Sequence, residues 1–215
     1  MQNTDGEPVI VYRDAAFVVV CKPGGLLAVP GRGEDKQDCV VARIRRLLPE
    51  MIAQPAVHRL DMHTSGLMVL AVTREAHADL SRQFEQRRVG KRYIALLQGI
   101  VEEQAGEIRL PFRLDPDNRP YQIHDPEHGK MGITRWRRLA LEEGRTRIEF
   151  TPITGRTHQL RLHAAHHLGL GVPIVGDRLY GHGRESERML LHASHLAFAH
   201  PGTGEPISLD SPAPF

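Results

Sequence analysis

Cysteine is scarce: two residues, Cys21 and Cys39, in a chain of 215 allow at most one bridge and exclude a disulfide framework or a thiolate metal site. No long apolar run exists either. The longest, Ala15 to Cys21, is seven residues, far below the roughly 20 that cross a bilayer, so no membrane partner is expected. The acidic start (Asp5, Glu7) does not resemble a secretory signal, and a reducing cytoplasm is the expected setting. A Walker-type phosphate loop, a dinucleotide fingerprint and a Cys-x-x-Cys pair are all missing, which removes nucleotide-triphosphate and zinc-finger readings. Repeats and low-complexity linkers are missing as well. Net charge is also small, with 28 basic against 26 acidic residues leaving +2, which by itself does not suggest nucleic acid.

What is present fits a globular protein: 40% apolar residues and 20 glycines. At roughly 150 residues per domain the expectation is one domain over 1–215. Charge is clustered locally. Residues 74–92 hold Arg74, Arg82, Arg87, Arg88, Lys91 and Arg92 against Glu75, Asp79 and Glu85; residues 130–147 hold Lys130, Arg135, Arg137, Arg138, Arg145 and Arg147 against Glu142 and Glu143. Such clusters hold phosphates even in a nearly neutral protein. Two solvated faces account for them equally well.

Patterning predicts a hairpin from Val9–Tyr12 and Phe17–Cys21 around Arg13 and Asp14. A helix capped by Asp38 follows, with Val40, Val41, Ile44, Leu47 and Leu48 inside and Pro49 as its stop. Leu67–Val72 reads as a buried strand. Thr73 then caps a helix carrying Ala76, Leu80 and Phe84 on one face, ended by Gly90. Strands are expected at Tyr93–Ile100, Ile133–Leu141, Arg145–Thr151, Leu190–Phe198 and Pro206–Leu209. Residues 111–130, rich in Pro, Asp, Asn and Gly, read as loop, and Thr157 to about Leu168 as a helix ended by Gly169. Within that helix His163 and His167 could face one metal, but no Glu accompanies them and a structural role is preferred.

Two segments concentrate chemistry. His58-Arg59-Leu60-Asp61-Met62-His63-Thr64-Ser65-Gly66 places charged and hydroxyl groups directly before a buried strand. One reading is a plain turn, with Asp61 bonding to the Thr64 or Ser65 amides and Gly66 supplying a permissive backbone; a reactive carboxylate is the other. In Thr154-Gly155-Arg156-Thr157-His158-Gln159-Leu160-Arg161 a glycine turn feeds a helix whose start is a candidate anion site. Arg161 sits in its first turn, where the helix dipole disfavours a cation, so a carboxylate partner is expected.

Together these blocks resemble the RluA family of RNA pseudouridine synthases. The likeness rests on His58 to Ala71, Lys91-Arg92-Tyr93-Ile94-Ala95, Ile153 to Leu162, Pro173 to Tyr180 with Gly176-Asp177, Leu190-Leu191-His192-Ala193 and Lys22-Pro23-Gly24-Gly25-Leu26, in order along nearly the whole chain. It departs at Met62 and His63, where relatives often carry a charged pair. The resemblance implies an α+β fold with a mixed, mainly antiparallel β-sheet split around a central catalytic cleft and flanking helices. It also implies the short branch that lacks an S4-type RNA-binding domain, because Asp61 comes too early to leave room for one.

The implied reaction breaks the bond from ribose to N1 of uracil, turns the base and rejoins it through C5. Asp61 is the implied catalytic carboxylate, attacking the sugar or removing a ribose proton, with Arg161 as the cation that keeps it charged. Tyr93 is implied to stack on the uracil, and Arg59 to fill the gap left by the flipped base. His58 would shape the loop, Leu190 and Leu191 wall the pocket, and Arg87, Arg88 and Lys91 grip phosphates, together with the 135–147 hairpin, Arg32 and Lys36. The implied partner is RNA, a stem-loop of 23S rRNA or a tRNA anticodon arm, met by a monomer that needs no metal and no cofactor. A glycosidic hydrolase is the rival chemistry, but it usually needs a second carboxylate, and none is convincing.

Overall fold

The computed structural model describes residues 6–184 and 187–215; Asp5 lies outside them. In chain order the elements are β1 (Val9–Arg13), β2 (Phe17–Lys22), α1 (Val40–Leu47), β3 (Ser65–Ala71), α2 (Arg74–Glu85), β4 (Gly90–Leu97) and β5 (Ala105–Leu114). Then follow β6 (Gln122–His124), β7 (Lys130–Glu142), β8 (Arg145–Pro152), α3 (Gln159–Ala165), β9 (Leu191–Ala199) and β10 (Pro206–Asp210). They form two compact units, one of residues up to Lys91 with His192–Phe215, the other of Arg92–Leu191.

In the first unit the strands run β1-β2-β3-β9, and β10 pairs β9. The β1–β2 reversal is built by Asp14, whose Oδ1 accepts the N–H groups of Ala16 (2.7 Å) and Phe17 (3.0 Å). All these pairings are antiparallel except β3 with β9, which run parallel with Ser65 beside His192 and Gly66 beside Ala193. That register demands glycine: Gly66 has φ 113°, and a Cβ there would lie 2.3 Å from the Ala193 carbonyl oxygen. Alternation is absent from β3 because both faces are covered. Leu67, Val69 and Ala71 pack with Ala76 and Leu80 of α2 and with Phe17, Leu196 and Phe198, while Met68 and Leu70 on the other face are equally buried.

Three helix boundaries differ from expectation. Cys39, not Asp38, caps α1, its Sγ accepting from Ala42 N–H, because the Asp38 carboxylate is engaged by Arg43 at 2.6 Å and 2.8 Å. Leu47 lies outside the core, 64% exposed. Thr73 caps α2 as expected, but the helix ends well before Gly90. Arg87 adopts a left-handed conformation (φ 58°), its N–H bonding to Phe84 O, while Arg88 N–H reaches Gln83 O. This is a Schellman stop with arginine where glycine is usual; Gly90 instead opens β4. Likewise α3 is shorter than 157–168, since His158 is left-handed (φ 55°) and the chain turns at His166. Seven residues align few dipoles, so the anion site expected at its start does not develop.

In the second unit the order is β4-β8-β7-β5-β6, antiparallel throughout. The loop expected over 111–130 is interrupted by strand at 111–114, 122–124 and 130. β5 carries Ile108, Leu110 and Phe112 inward at two-residue spacing, pairs β7 as far as Phe112 beside Lys130, and pairs β6 through Phe112 beside His124. The stretches between β5 and β6 and between β6 and β7 are turns, held by Asp115 accepting from Asp117 and Asn118 N–H and by Asp125 accepting from Glu127 and His128 N–H. The core joins these residues to Leu97, Trp136, Ile148, Phe150, Leu160 and Leu162. The fold is thus α+β, with mixed and mainly antiparallel pairing and few helices. Among the described residues no helix is long and apolar enough to cross a membrane.

His163 is fully buried on α3, edge-on to Phe112, with no hydrogen-bond partner for either ring nitrogen among the described residues. His167 stacks on His166 at 4.4 Å, and among the described residues no group of three or more His, Cys, Asp or Glu is placed together to hold a metal. Burial, then the neighbouring His166, pushes the His163 imidazole down to about 4. The unfolded chain therefore takes up this proton first as pH falls. Stability is complete above pH ~6.5, declines below it and levels off beneath pH ~4, a loss of roughly 3 kcal/mol. Urea unfolding between pH 7.5 and 4 should show this slope added to that of the other depressed imidazoles, His58 and His166, and His163→Leu should make it shallower; an identical slope in the variant would assign the effect elsewhere.

Candidate active site

The loop before β3 is braced from several directions. Thr64 N–H bonds to the main-chain carbonyl of Asp61 at 3.1 Å, closing a tight turn, and Gly25 N–H holds the Met62 carbonyl at 2.9 Å. Beneath it lies Lys22, a lysine with no exposed surface at the end of β2. Its Nζ donates to the carbonyls of Pro23 (2.8 Å), Leu26 (2.7 Å) and Met62 (2.8 Å). Burial pushes this ammonium down to about 7, and the Asp61 carboxylate acts against that shift. Three carbonyl acceptors match an ammonium and exceed the two hydrogens of a neutral amine, so the cage is built for the charged form. Asp61 thus has a fixed cation on its own unit, a residue that the sequence offers only as part of a Lys-Pro-Gly-Gly turn.

Around this turn each side chain has a distinct environment. His58 accepts Val69 N–H at its Nε2 (3.0 Å) and stacks on Phe84 at 4.5 Å. Burial, then the charge of Lys91, holds its imidazole down to about 3. It is a neutral brace between loop and α2. Arg59, by contrast, is exposed and makes no ion pair among the described residues. Behind the loop Ser65 Oγ meets His192 Nδ1 (2.9 Å), and His192 Nε2 meets Ser211 Oγ (3.0 Å), tying the loop to the last strands of the chain.

Asp61, Arg59, His58, Arg87, Arg88 and Lys91 belong to the first unit, whereas Tyr93, Arg161, Leu190 and Leu191 belong to the second. Tyr93 lies on β4 opposite Phe150 and is partly buried against the core. Arg161 is 3% exposed, and the carboxylate expected for it is supplied by Asp177, 1% exposed, bonded to Nε at 2.8 Å and Nη2 at 2.7 Å. Leu191 is a core residue, and Leu190 is tied through its main chain to Leu96 and Val175.

The two basic clusters differ once folded. On the β7–β8 hairpin Arg135 bonds to Glu107, Arg137 to Glu149, Arg147 to Glu142, and Arg138 to the carbonyls of Val101 and Glu102. Near the end of α2, Arg87 and Arg88 are exposed and have no ion pair among the described residues. Arg88 lines a recess of about 360 Å³ with Arg82, Gln83, Asp79, His200 and Gly204. Lys91 is a different case: partly buried, with Nζ 5.9 Å above the Phe84 ring and its ammonium pushed down by burial.

Comparison with known proteins meets this geometry. Residues 16–166 match the RNA pseudouridylate synthase family model. The dual-specificity RNA pseudouridine synthases RluA of Haemophilus influenzae and Escherichia coli are each 42% identical, over 96% and 99% of this chain and 93% and 97% of theirs. The chain belongs to the RluA family of RNA pseudouridine synthases. Human RNA pseudouridylate synthase domain containing 1 has a solved structure that superposes with a TM-score of 0.79 at 31% identity, covering 100% of this chain and 87% of that one. The human domain containing 4 protein reaches 0.75 at 24% identity, covering 96% and 88%, a likeness of fold.

As a pseudouridine synthase the chain is an isomerase: uracil leaves through N1 and returns through C5, and nothing is oxidised or consumed. Two residues escape a sequence reading of its site. Asp177 stands sixteen positions from the arginine it pairs, and only the misplaced charge of Arg161 signals that a partner exists. Lys22 is marked more openly, as one lysine closing the apolar strand Phe17–Cys21.

Proposed function

We propose that this synthase isomerises uridines in stem-loops of 23S rRNA and in the tRNA anticodon arm, with Asp61 as the reacting carboxylate. The supporting observation is the bracing of the Asp61 turn over the buried Lys22 ammonium, which suits a group that must stay ionised while desolvated by substrate. The carboxylate has two routes, attack on the sugar carbon or removal of a ribose proton. In either, Arg161 adds positive charge, Tyr93 stacks on the freed uracil while it turns, and exposed Arg59 takes the place of the flipped base in the RNA stack. The chain acts as a monomer and a single catalytic domain in the cytoplasm, without metal or cofactor.

Affinity on this reading comes mainly from the end of α2. A left-handed arginine costs roughly 1 kcal/mol relative to glycine, so its retention at position 87 calls for a return elsewhere, and a bond to phosphate provides one. Arg87→Gly should raise stability by about 1 kcal/mol while weakening RNA binding. Arg87→Gln with Arg88→Gln should reduce the slope of log K against log salt by about 0.7 for each phosphate no longer neutralised. Filter binding across a salt series measures this; an unchanged slope would remove α2 from the RNA interface.

Substrate identity is tested by mapping pseudouridines in total tRNA and rRNA from a strain lacking the protein. Sites that disappear in both RNA classes and return with the wild-type gene are expected. Loss confined to one class would narrow the assignment, and a complete map in the deletion strain would overturn it.

A further inference from the structure

Arg161 does not stand alone in the second unit. Its guanidinium is gripped along one edge by both oxygens of Asp177, and its face is covered by the Tyr180 ring with the centroid 5.3 Å from Cζ. Asp177 is fixed in turn, because its Oδ1 also accepts the N–H groups of Leu179 (2.9 Å) and Tyr180 (3.2 Å). The Tyr180 ring is held by its hydroxyl, which receives Gln122 N–H at 2.8 Å and lies 2.9 Å from His158 Nδ1. The hydroxyl thus sits between Gln122 and His158, whose left-handed backbone accompanies a ring edge-on to Tyr180. Gly176 completes the turn: at φ 76°, a Cβ there would lie 2.2 Å from the Arg188 carbonyl oxygen.

Such a clamp exceeds what neutralising a buried arginine requires. A single hydrogen-bonded carboxylate would satisfy the charge, whereas an edge grip, a ring cover and a second-tier anchor on that ring together remove every rotation of the guanidinium plane. We infer that Asp177, with Tyr180 and His158 behind it, is a positioning assembly that holds the Arg161 guanidinium in the single orientation in which it serves the reaction. The inference rests on the role given to Arg161 above. Asp177 uses Nε and one Nη2 hydrogen, so the orientation it imposes decides where Nη1 points.

The test is a double-mutant cycle read by single-turnover conversion of a stem-loop RNA at saturating enzyme, with RNA dissociation constants measured in parallel. Asp177→Asn should lower the rate about 100-fold and leave the dissociation constant within about threefold of wild type, since position rather than affinity is lost. Arg161→Ala should be at least as slow. Asp177→Asn combined with Arg161→Ala should be no slower than Arg161→Ala alone, because Asp177 acts only through Arg161. A purely structural aspartate would instead give additive losses and would weaken RNA binding along with the rate.

Tyr180→Phe keeps the ring and the ion pair while cutting the bonds to His158 and Gln122. It should be slowed several-fold with unchanged affinity, and it decides the matter if Asp177→Asn does not fold. Wild-type rates in Tyr180→Phe, additive losses in the cycle, or a fast Asp177→Asn beside a slow Arg161→Ala would each overturn the positioning role while leaving that of Arg161 intact. A wild-type rate for Arg161→Ala would overturn both.

Discussion

Replacing Asp61 by asparagine is expected to lower pseudouridine formation by at least about 10⁴-fold while the protein folds and still binds its RNA. Asparagine keeps the shape of the side chain but can neither attack a sugar carbon nor take a proton at neutral pH. The turn survives because Thr64 N–H is held by the main-chain carbonyl of residue 61, which the substitution leaves in place. Single-turnover assays with a labelled stem-loop, alongside binding and melting curves, measure the three quantities separately. Residual turnover within about tenfold of wild type would show that the reacting group lies elsewhere. Free uracil among the wild-type products would point instead to hydrolysis of the glycosidic bond.

Lys22→Met should be the most damaging substitution outside that carboxylate. Methionine fills much of the same volume, yet the carbonyls of Pro23 and Leu26 lose their Nζ donor, and that of Met62 keeps only Gly25 N–H. Unsatisfied buried acceptors cost about 1–3 kcal/mol each. Relief from burying an ammonium offsets part of this, leaving a net loss of roughly 3 kcal/mol. The effect on activity is separate. With the Met62 carbonyl held by Gly25 alone, the adjoining Asp61 turn is less firmly fixed and loses its nearby positive charge, and displacement of this kind slows a reaction by about 100-fold. Urea titration gives the first quantity, and the rate of the folded variant at low temperature gives the second. Destabilisation without a rate defect would make Lys22 a fold residue only.

How much of this is legible in sequence depends on how local the determining forces are. The β1–β2 hairpin, the buried β3 and the Thr73 cap follow from neighbouring residues, and all three appear where the pattern puts them. β5 and β6 do not, because the density of Pro and Asp after residue 111 outweighs the alternation of Ile108, Leu110 and Phe112, whose strand is fixed by pairing to β7. The end of α2 fails for a related reason: glycine is the usual signal for a left-handed stop, and here arginine adopts that conformation. Within the site, Asp61, Arg59 and His58 are visible as a dense polar block. Asp177 and Lys22 act across the fold, through an ion pair and a carbonyl cage that spacing along the chain does not encode. The even spread of arginines over two clusters conceals that Arg135, Arg137, Arg138 and Arg147 are engaged by glutamates and carbonyls while Arg87 and Arg88 make no ion pair among the described residues.

The first unit is assembled from both ends of the chain, and this bears on how the protein is made. Between Ala71, where β3 ends, and Leu191, where β9 begins, lies more than half of the polypeptide. The second unit is continuous and can close as soon as it leaves the ribosome. β3 cannot, since its parallel partner β9 is translated near the end of the chain. At roughly 5–20 residues per second its edge waits on the order of ten seconds, an interval in which an apolar strand invites pairing with other nascent chains. Slower translation or a lower growth temperature should therefore change the soluble yield of this protein more through β3 than through any residue of its active site.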